Sequence, residues 1–349
     1  MTWRTDIDTP QSWWELLDPI SRTGGIVLIL GVPDTGKSTL AEFLVNELSS
    51  RGLRVGLLDG DVGQSRIGPP TTIGLLLPWE GRTYLYFTGS TSPRGHLLET
   101  AVGMRKLADR AISSGSEVIV ADTTGFVHGP AAAHLKFRKI DLLNPTHLIA
   151  LQRSDEIENI IEPHKDRPGI LIHRLPVPTS SRKKTPERRR SHRMEKFREY
   201  FRDARSLKLD IKELALCGRP FGGGTALDRS HLKFIGNVLK AEILRAERDR
   251  DGMTVFLRGS YYLGEGLYTL RGHYNVKDIR FVSQESLRGR LIGLSDCENM
   301  TIGLGIVEDM DLDGGKLSVL TPVRELEKVR IISFGSLKLL RSGEEFPES

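Results

Sequence analysis

The chain of 349 residues has only two cysteines, Cys217 and Cys297. Two thiols so far apart make neither a metal-ligand cluster nor a disulfide framework, and they point to a reducing compartment. Long apolar runs are missing too, so no segment suits a bilayer span. The N-terminal stretch MTWRTDIDTPQSWWELLDPI has no basic start followed by an apolar run, so it does not read as a signal peptide. These absences set the expectation of a cytoplasmic protein that needs no membrane. Internal repeats and low-complexity tails are absent, which sets aside solenoids and disordered arms. No Asn-Lys-x-Asp-like element is present, as a guanine-specific switch would carry. Charge of one sign is not in large excess: 50 Lys and Arg face 45 Asp and Glu, a net of +5. That leans only weakly toward a polyanionic partner, so the distribution of charge matters more than its sum.

What is present begins with GIVLIL at residues 25–30, a short branched apolar run that reads as a strand buried on both faces. GVPDTGKST follows at 31–39, then LAEFLVNELSS, in which Leu40, Phe43, Leu44 and Leu48 share one helical face. Gly52 ends that helix and LRVGLL is the next strand. Strand, glycine loop, helix, strand is the βαβ setting of a phosphate loop. Further strands are expected at EVIVA (117–121), HLIAL (147–151) and GILIH (169–173). The expected fold is therefore α/β: a P-loop NTPase-like, mostly parallel, doubly wound sheet. From about Leu216 glycines multiply and short alternating strands take over, which predicts a smaller C-terminal β-rich domain, packed as a barrel or sandwich. The expected division is a leader at 1–20, packed on by Trp3, Trp13 and Trp14, a nucleotide domain at 21–212 with a basic segment at 176–202, and the β-rich domain at 213–349.

The loop spacing is the Walker A pattern. Gly31, Asp34, Thr35, Gly36, Lys37, Ser38 and Thr39 are the expected nucleotide contacts. Loop amides form an anion nest, Lys37 supplies a point charge for the β- and γ-phosphates, and the Ser38 hydroxyl suits Mg²⁺. The next strand runs into DGDVGQ, which puts Asp59 and Asp61 near the metal and γ-phosphate. Asp61 could equally deprotonate an attacking hydroxyl, and either acid could simply cap a turn. ADTTGFVHG lies at another strand end: Asp122 is a candidate nucleotide-site carboxylate, and Thr123 and Thr124 are candidate partners of a phosphate or ribose. Phe126 either enters the crevice or joins the core. Residues 182–198, RKKTPERRRSHRMEKFR, hold nine Lys or Arg against two Glu. Such density calls for anions, and a lid over the nucleotide answers that need. Arg193 and Arg198 lie roughly 140° apart on a helix of about 3.6 residues per turn and could face two phosphates.

Taken together, GVPDTGKST, LLDGDVGQSRIGPPTTIG, YFTGSTSPRGHLLE, VIVADTTGFVHG and RRSHRMEKFREYF resemble the polynucleotide 5′-hydroxyl kinase family that includes the eukaryotic pre-mRNA cleavage-complex kinase and the ribosomal-RNA-processing kinase. The resemblance covers about residues 25–202 and continues more weakly through LIGLSDCENMTIGLGIVEDMD. It implies an ATP- and Mg²⁺-dependent kinase acting on RNA or DNA with a free 5′-hydroxyl end. It implies that Asp61 activates that hydroxyl with Gln64 beside it, and that Thr124 and Gly125 form a clasp for the acceptor. It further implies that Arg193 and Arg198 are lid arginines, and that Gly89–Pro93 forms a loop beside the nucleotide crevice. Two departures stand out. The clasp tryptophan of the family is Phe126 here, which can stack on a base but has no indole N–H. About 20 residues stand where eukaryotic members have an extra N-terminal β domain, which suggests a minimal prokaryotic form. The rival readings are an ATPase or GTPase switch, a small-molecule kinase or ligase, and a nucleotide-stabilised scaffold of RNA processing.

Overall fold

The computed structural model describes residues 9–346, so the expectation for Trp3 lies outside the described residues. The chain forms two compact units that divide between Lys196 and Phe197.

The first unit is built on β1 (Gly25–Gly31), β2 (Val55–Gly60), β3 (Thr72–Leu77), β4 (Arg82–Phe87), β5 (Val118–Thr123), β6 (His147–Gln152) and β7 (Leu171–Pro176), in the order β4-β3-β2-β5-β1-β6-β7. The five strands from β2 to β7 in that order are parallel, as expected. The hairpin β3–β4 continues the sheet antiparallel, which apolar patterning does not foretell. Central strands β2, β5 and β6 are buried at every position, which their branched apolar side chains allow because helices cover both faces. The helices of this unit include α1 (Gln11–Trp14), α2 (Leu17–Thr23), α3 (Lys37–Ser50), α4 (Leu97–Ser113), α5 (Pro130–Leu143) and α6 (Glu158–Ile161), and α7 (Pro186–Tyr200) runs across the division between the units. The face of α3 carrying Leu40, Phe43, Leu44 and Leu48 enters the core with Val27, Ile29 and Val120. The leader packs as expected: the rings of Trp13 and Trp14 lie 5.7 and 5.0 Å from that of Phe43.

The second unit contains β8 (Arg205–Asp210), β9 (Ala215–Gly218), β10 (Thr225–Ala226), β11 (Glu242–Arg248), β12 (Gly252–Arg258), β13 (Asp278–Ser283), β14 (Arg290–Ser295), β15 (Thr301–Asp311), β16 (Lys316–Thr321), β17 (Ile331–Leu339) and β18 (Glu345–Phe346). Strands β18-β17-β14-β15-β16-β8 pair antiparallel, with β9 parallel to β17. A second sheet, β10-β11-β12-β13, carries two helices that the patterning does not announce, α8 (Arg229–Leu239) and α9 (Gly266–Tyr274). Their Ile235, Leu239, Leu270 and Tyr274 pack on Met253 and Val255. The unit starts earlier than the expected 213. The Leu304 amide donates to the Tyr200 hydroxyl (2.7 Å), and β8 pairs along the whole of β16, which binds residues 200–210 to the β-rich end.

Candidate active site

The phosphate loop starts where β1 ends and α3 begins. Gly36, with φ of 89°, is the residue before the first helical turn, a left-handed conformation that favours glycine. Asp34 also has positive φ, at 59°, which aspartate tolerates better than most residues. Thr35 is buried and donates to the Val32 carbonyl (3.0 Å). Lys37 is 6% exposed and its Nζ donates to the same carbonyl at 2.7 Å. Burial holds the Lys37 amine below its usual range, opposed by the Asp122, Asp61 and Asp34 carboxylates.

The acids behave unequally. Asp59 is a turn anchor: its Oδ1 accepts from the Asp61 amide (3.0 Å), and its Oδ2 accepts from the Arg66 and Ile67 amides (2.6 and 3.1 Å) and the Ser65 hydroxyl (3.2 Å). Burial, and then the nearby Asp122 carboxylate, push its pKa up to about 7. These four donors make Asp59 the anchor of the turn that follows β2. Asp61 accepts from the Gly63 and Gln64 amides through Oδ1 alone, both at 3.1 Å. Among the described residues no donor holds its Oδ2. Asp122, at the end of β5, accepts from the Thr123 amide (2.7 Å), and the nearby Ser38 hydroxyl favours its ionised form. Burial raises its pKa against the pull of Lys37. Among the described residues no three His, Cys, Asp or Glu side chains group as a metal cage. Mg²⁺ does not need one, since it takes one or two carboxylates, waters and substrate phosphates. Ser38 with Asp122 fits that donor chemistry.

A cleft of about 1060 Å³ joins these groups within the first unit. Its walls include the loop from Asp34 to Thr39, Asp61, Gln64, Thr124, Gly125, Phe126, Thr91 and Arg193. Gly125 lies so close to the loop that a Cβ would sit 2.6 Å from the Pro33 nitrogen, so no larger residue fits. Phe126 is half-buried on the cleft wall, not in the core. Gln64 donates through Nε2 to the Gly63 and Arg189 carbonyls, and its buried Oε1 has no partner among the described residues. The candidate role of Thr123 toward a ligand is revised: it is fully buried and its hydroxyl donates to the Ile29 carbonyl at 2.8 Å. Asp34, an expected nucleotide contact, is also tied to the basic segment. Its carboxylate accepts from Arg189 (2.6 Å) and from the Lys184 amide (2.9 Å), which fastens the basic segment to the loop. Arg198 belongs to the second unit, where its Nε donates to the Ser342 carbonyl at 3.3 Å.

Sequence reasoning missed Arg66, Arg189 and Trp13, which all line the cleft. Arg66 pairs with Glu42. Nothing in the spacing separates Arg189 from its basic neighbours; only the fold turns it toward Asp34. It also missed two fully buried lysines on α5, Lys136 and Lys139. Their signal was visible in AAAHLKFRKIDLL, where both fall three apart on the face that carries Ala132, Leu135 and Leu143.

A glycine loop between a buried parallel strand and a helix, closed by an acid on one wall and a basic segment on another, defines the P-loop class. Residues 31–203 match the family model described as mRNA cleavage and polyadenylation factor CLP1 P-loop. The chain is 30% identical over 329 residues to a polyribonucleotide 5′-hydroxyl-kinase of Methanocaldococcus jannaschii, covering 91% of this chain and 88% of that one. It is 31% identical over 348 residues to a polyribonucleotide 5′-hydroxyl-kinase of Thermococcus kodakarensis, covering 97% and 95%. The chain belongs to this CLP1-type P-loop family. A solved structure of the wild-type Clp1p–Pcf11p complex shares the fold, with a TM-score of 0.60 at 15% identity over 95% of this chain and 80% of that one.

Proposed function

We propose that the chain is a polynucleotide 5′-hydroxyl kinase that transfers the γ-phosphate of ATP to the 5′ end of RNA. The observation that carries this reading is one cleft lined together by the phosphate loop, the Asp61 carboxylate and Thr124–Phe126, with Asp61 Oδ2 held by no donor among the described residues. A base for this reaction has to reach the acceptor hydroxyl while that hydroxyl faces the γ-phosphorus.

Loop amides and Lys37 bind the phosphates, and Lys37 gives up its Val32 contact to do so. Asp61 takes the proton of the acceptor hydroxyl. The 5′-oxygen then bonds to the γ-phosphorus, the bond to the β,γ-bridging oxygen breaks, and ADP leaves with that electron pair. Ser38 and Asp122 would hold Mg²⁺, which would supply charge neutralisation for the phosphates. Phe126 offers its ring to the terminal base, and Gln64 Oε1 accepts from the acceptor's sugar. Arg193, which lines the same cleft, is the proposed cover over the transferring group.

The test is transfer from γ-labelled ATP to matched 5′-hydroxyl oligoribonucleotides and oligodeoxyribonucleotides. Label should enter the 5′-hydroxyl RNA and none should enter a 5′-phosphorylated control. ATP hydrolysis without transfer to any oligonucleotide would defeat the reading.

A further inference from the structure

Lysine is almost never fully buried without a charged partner, yet α5 buries two. Lys136 donates through Nζ to the Thr124 carbonyl (2.6 Å) and to the Thr123 hydroxyl (2.9 Å). That hydroxyl in turn donates to the Ile29 carbonyl of β1, two residues before the phosphate loop. Lys139, three residues on and equally buried, has no hydrogen-bond partner for its Nζ among the described residues. From these contacts we propose that Lys136 is a positioning residue for the acceptor: it fixes the Thr124–Phe126 wall in register with the phosphate loop.

The geometry has two anchors. Gly125 rests on Pro33 from one side, so the wall cannot approach the loop further. Lys136 holds the same wall from beneath through the Thr124 carbonyl, so it cannot retreat. Between them the acceptor wall and the donor loop move as one body, which in-line transfer requires because reacting atoms must meet within a few tenths of an ångström. Two N–H groups serve two acceptors, and burial, with Lys139 and Lys37 nearby, holds the Lys136 pKa well below its usual value.

The inference rests on the proposed kinase reading, so its test includes a measurement that needs no activity. In Lys136→Met, amide hydrogen exchange over residues 123–128 should accelerate about tenfold, as two buried hydrogen bonds disappear. KM for a 5′-hydroxyl oligoribonucleotide should rise by about the same factor, while KM for ATP changes less than about twofold. Lys139→Met is the control. It removes an equally buried amine that makes no hydrogen bond among the described residues, so exchange over residues 123–128 should match wild type. If Lys136→Met does not fold, Thr123→Val tests the same tie by removing the hydroxyl, and Thr123→Ser should restore it. In a cycle with Lys136→Met, Thr123→Val should add less than its separate effect. Unchanged exchange at 123–128, or an equal loss of ATP and oligonucleotide affinity, would overturn the positioning role. Accelerated exchange in a protein whose wild type transfers no phosphate would leave the tie standing and defeat the kinase reading instead.

Discussion

Asp61 and Asp59 stand two positions apart, yet only Asp61 presents an open carboxylate oxygen to the cleft. Asp61→Asn keeps the two amide contacts to Oδ1 and removes the base. Transfer should fall by about 10²–10⁴, the usual contribution of a general base, with ATP affinity nearly preserved. Titrating Mg²⁺ with both proteins checks this, since full recovery at high Mg²⁺ would mean that Asp61 serves the metal instead. Phe126 allows a similar separation. As a stacking platform, Phe126→Ala should weaken oligonucleotide binding by about 1–3 kcal/mol, with ATP affinity and melting temperature little changed. A core role would lower the melting temperature and both affinities together. The loop residues were legible in the sequence because a nine-residue spacing encodes backbone geometry directly. The fate of Asp59 was not, because the amides of Arg66 and Ile67 reach it only after the chain has turned back over residues 61–67.

Among the elements, α7 and the segment before it are fastened by Asp34. Asp34→Asn keeps the loop's shape and weakens the contacts to Arg189 and the Lys184 amide. Proteolysis within residues 178–186 should become several-fold faster in the nucleotide-free protein, because charge-assisted hydrogen bonds of this kind contribute about 1.5–3 kcal/mol. Equal cleavage rates would show that Asp34 does not hold the segment. Strands β6 and β7 carry a different device. His147 Nδ1 and His173 Nε2 lie 3.0 Å apart with their rings stacked. Burial, then the neighbouring His173, lowers the His147 pKa to about 4, and burial lowers His173 as well. The unfolded chain therefore binds more protons than the folded one between pH of about 6.5 and about 4. Stability is full above that window and falls as pH drops through it. Urea midpoints at pH 7.5, 6 and 5 should show that fall, and a His147→Asn, His173→Asn double variant should flatten it. Strand positions were readable from apolar runs, whereas α8 and α9 were not: Gly236, Gly266 and Gly272, with their histidines and tyrosines, dilute the helical signal that tertiary packing restores.

For the molecule as a whole, the net charge of +5 matters through the concentration of nine basic residues in 182–198. Oligonucleotide binding should weaken with salt, and Lys183→Ala/Lys184→Ala should flatten the log–log slope by about one unit for each phosphate that is no longer neutralised. Binding isotherms between about 50 and 200 mM salt read this slope, and an unchanged one would place the backbone elsewhere. Sequence alone determined the P-loop fold, the loop residues and the family, because each depends on local spacing or on contiguous motifs. The division of the chain was decided by long-range pairing of β8 with β16, which no local pattern records. Tertiary structure alone also chose which of two nearby aspartates faces the cleft, which arginine fastens the basic segment, and which buried lysine finds a partner. Each of those choices turns on atoms that meet only once the chain has folded.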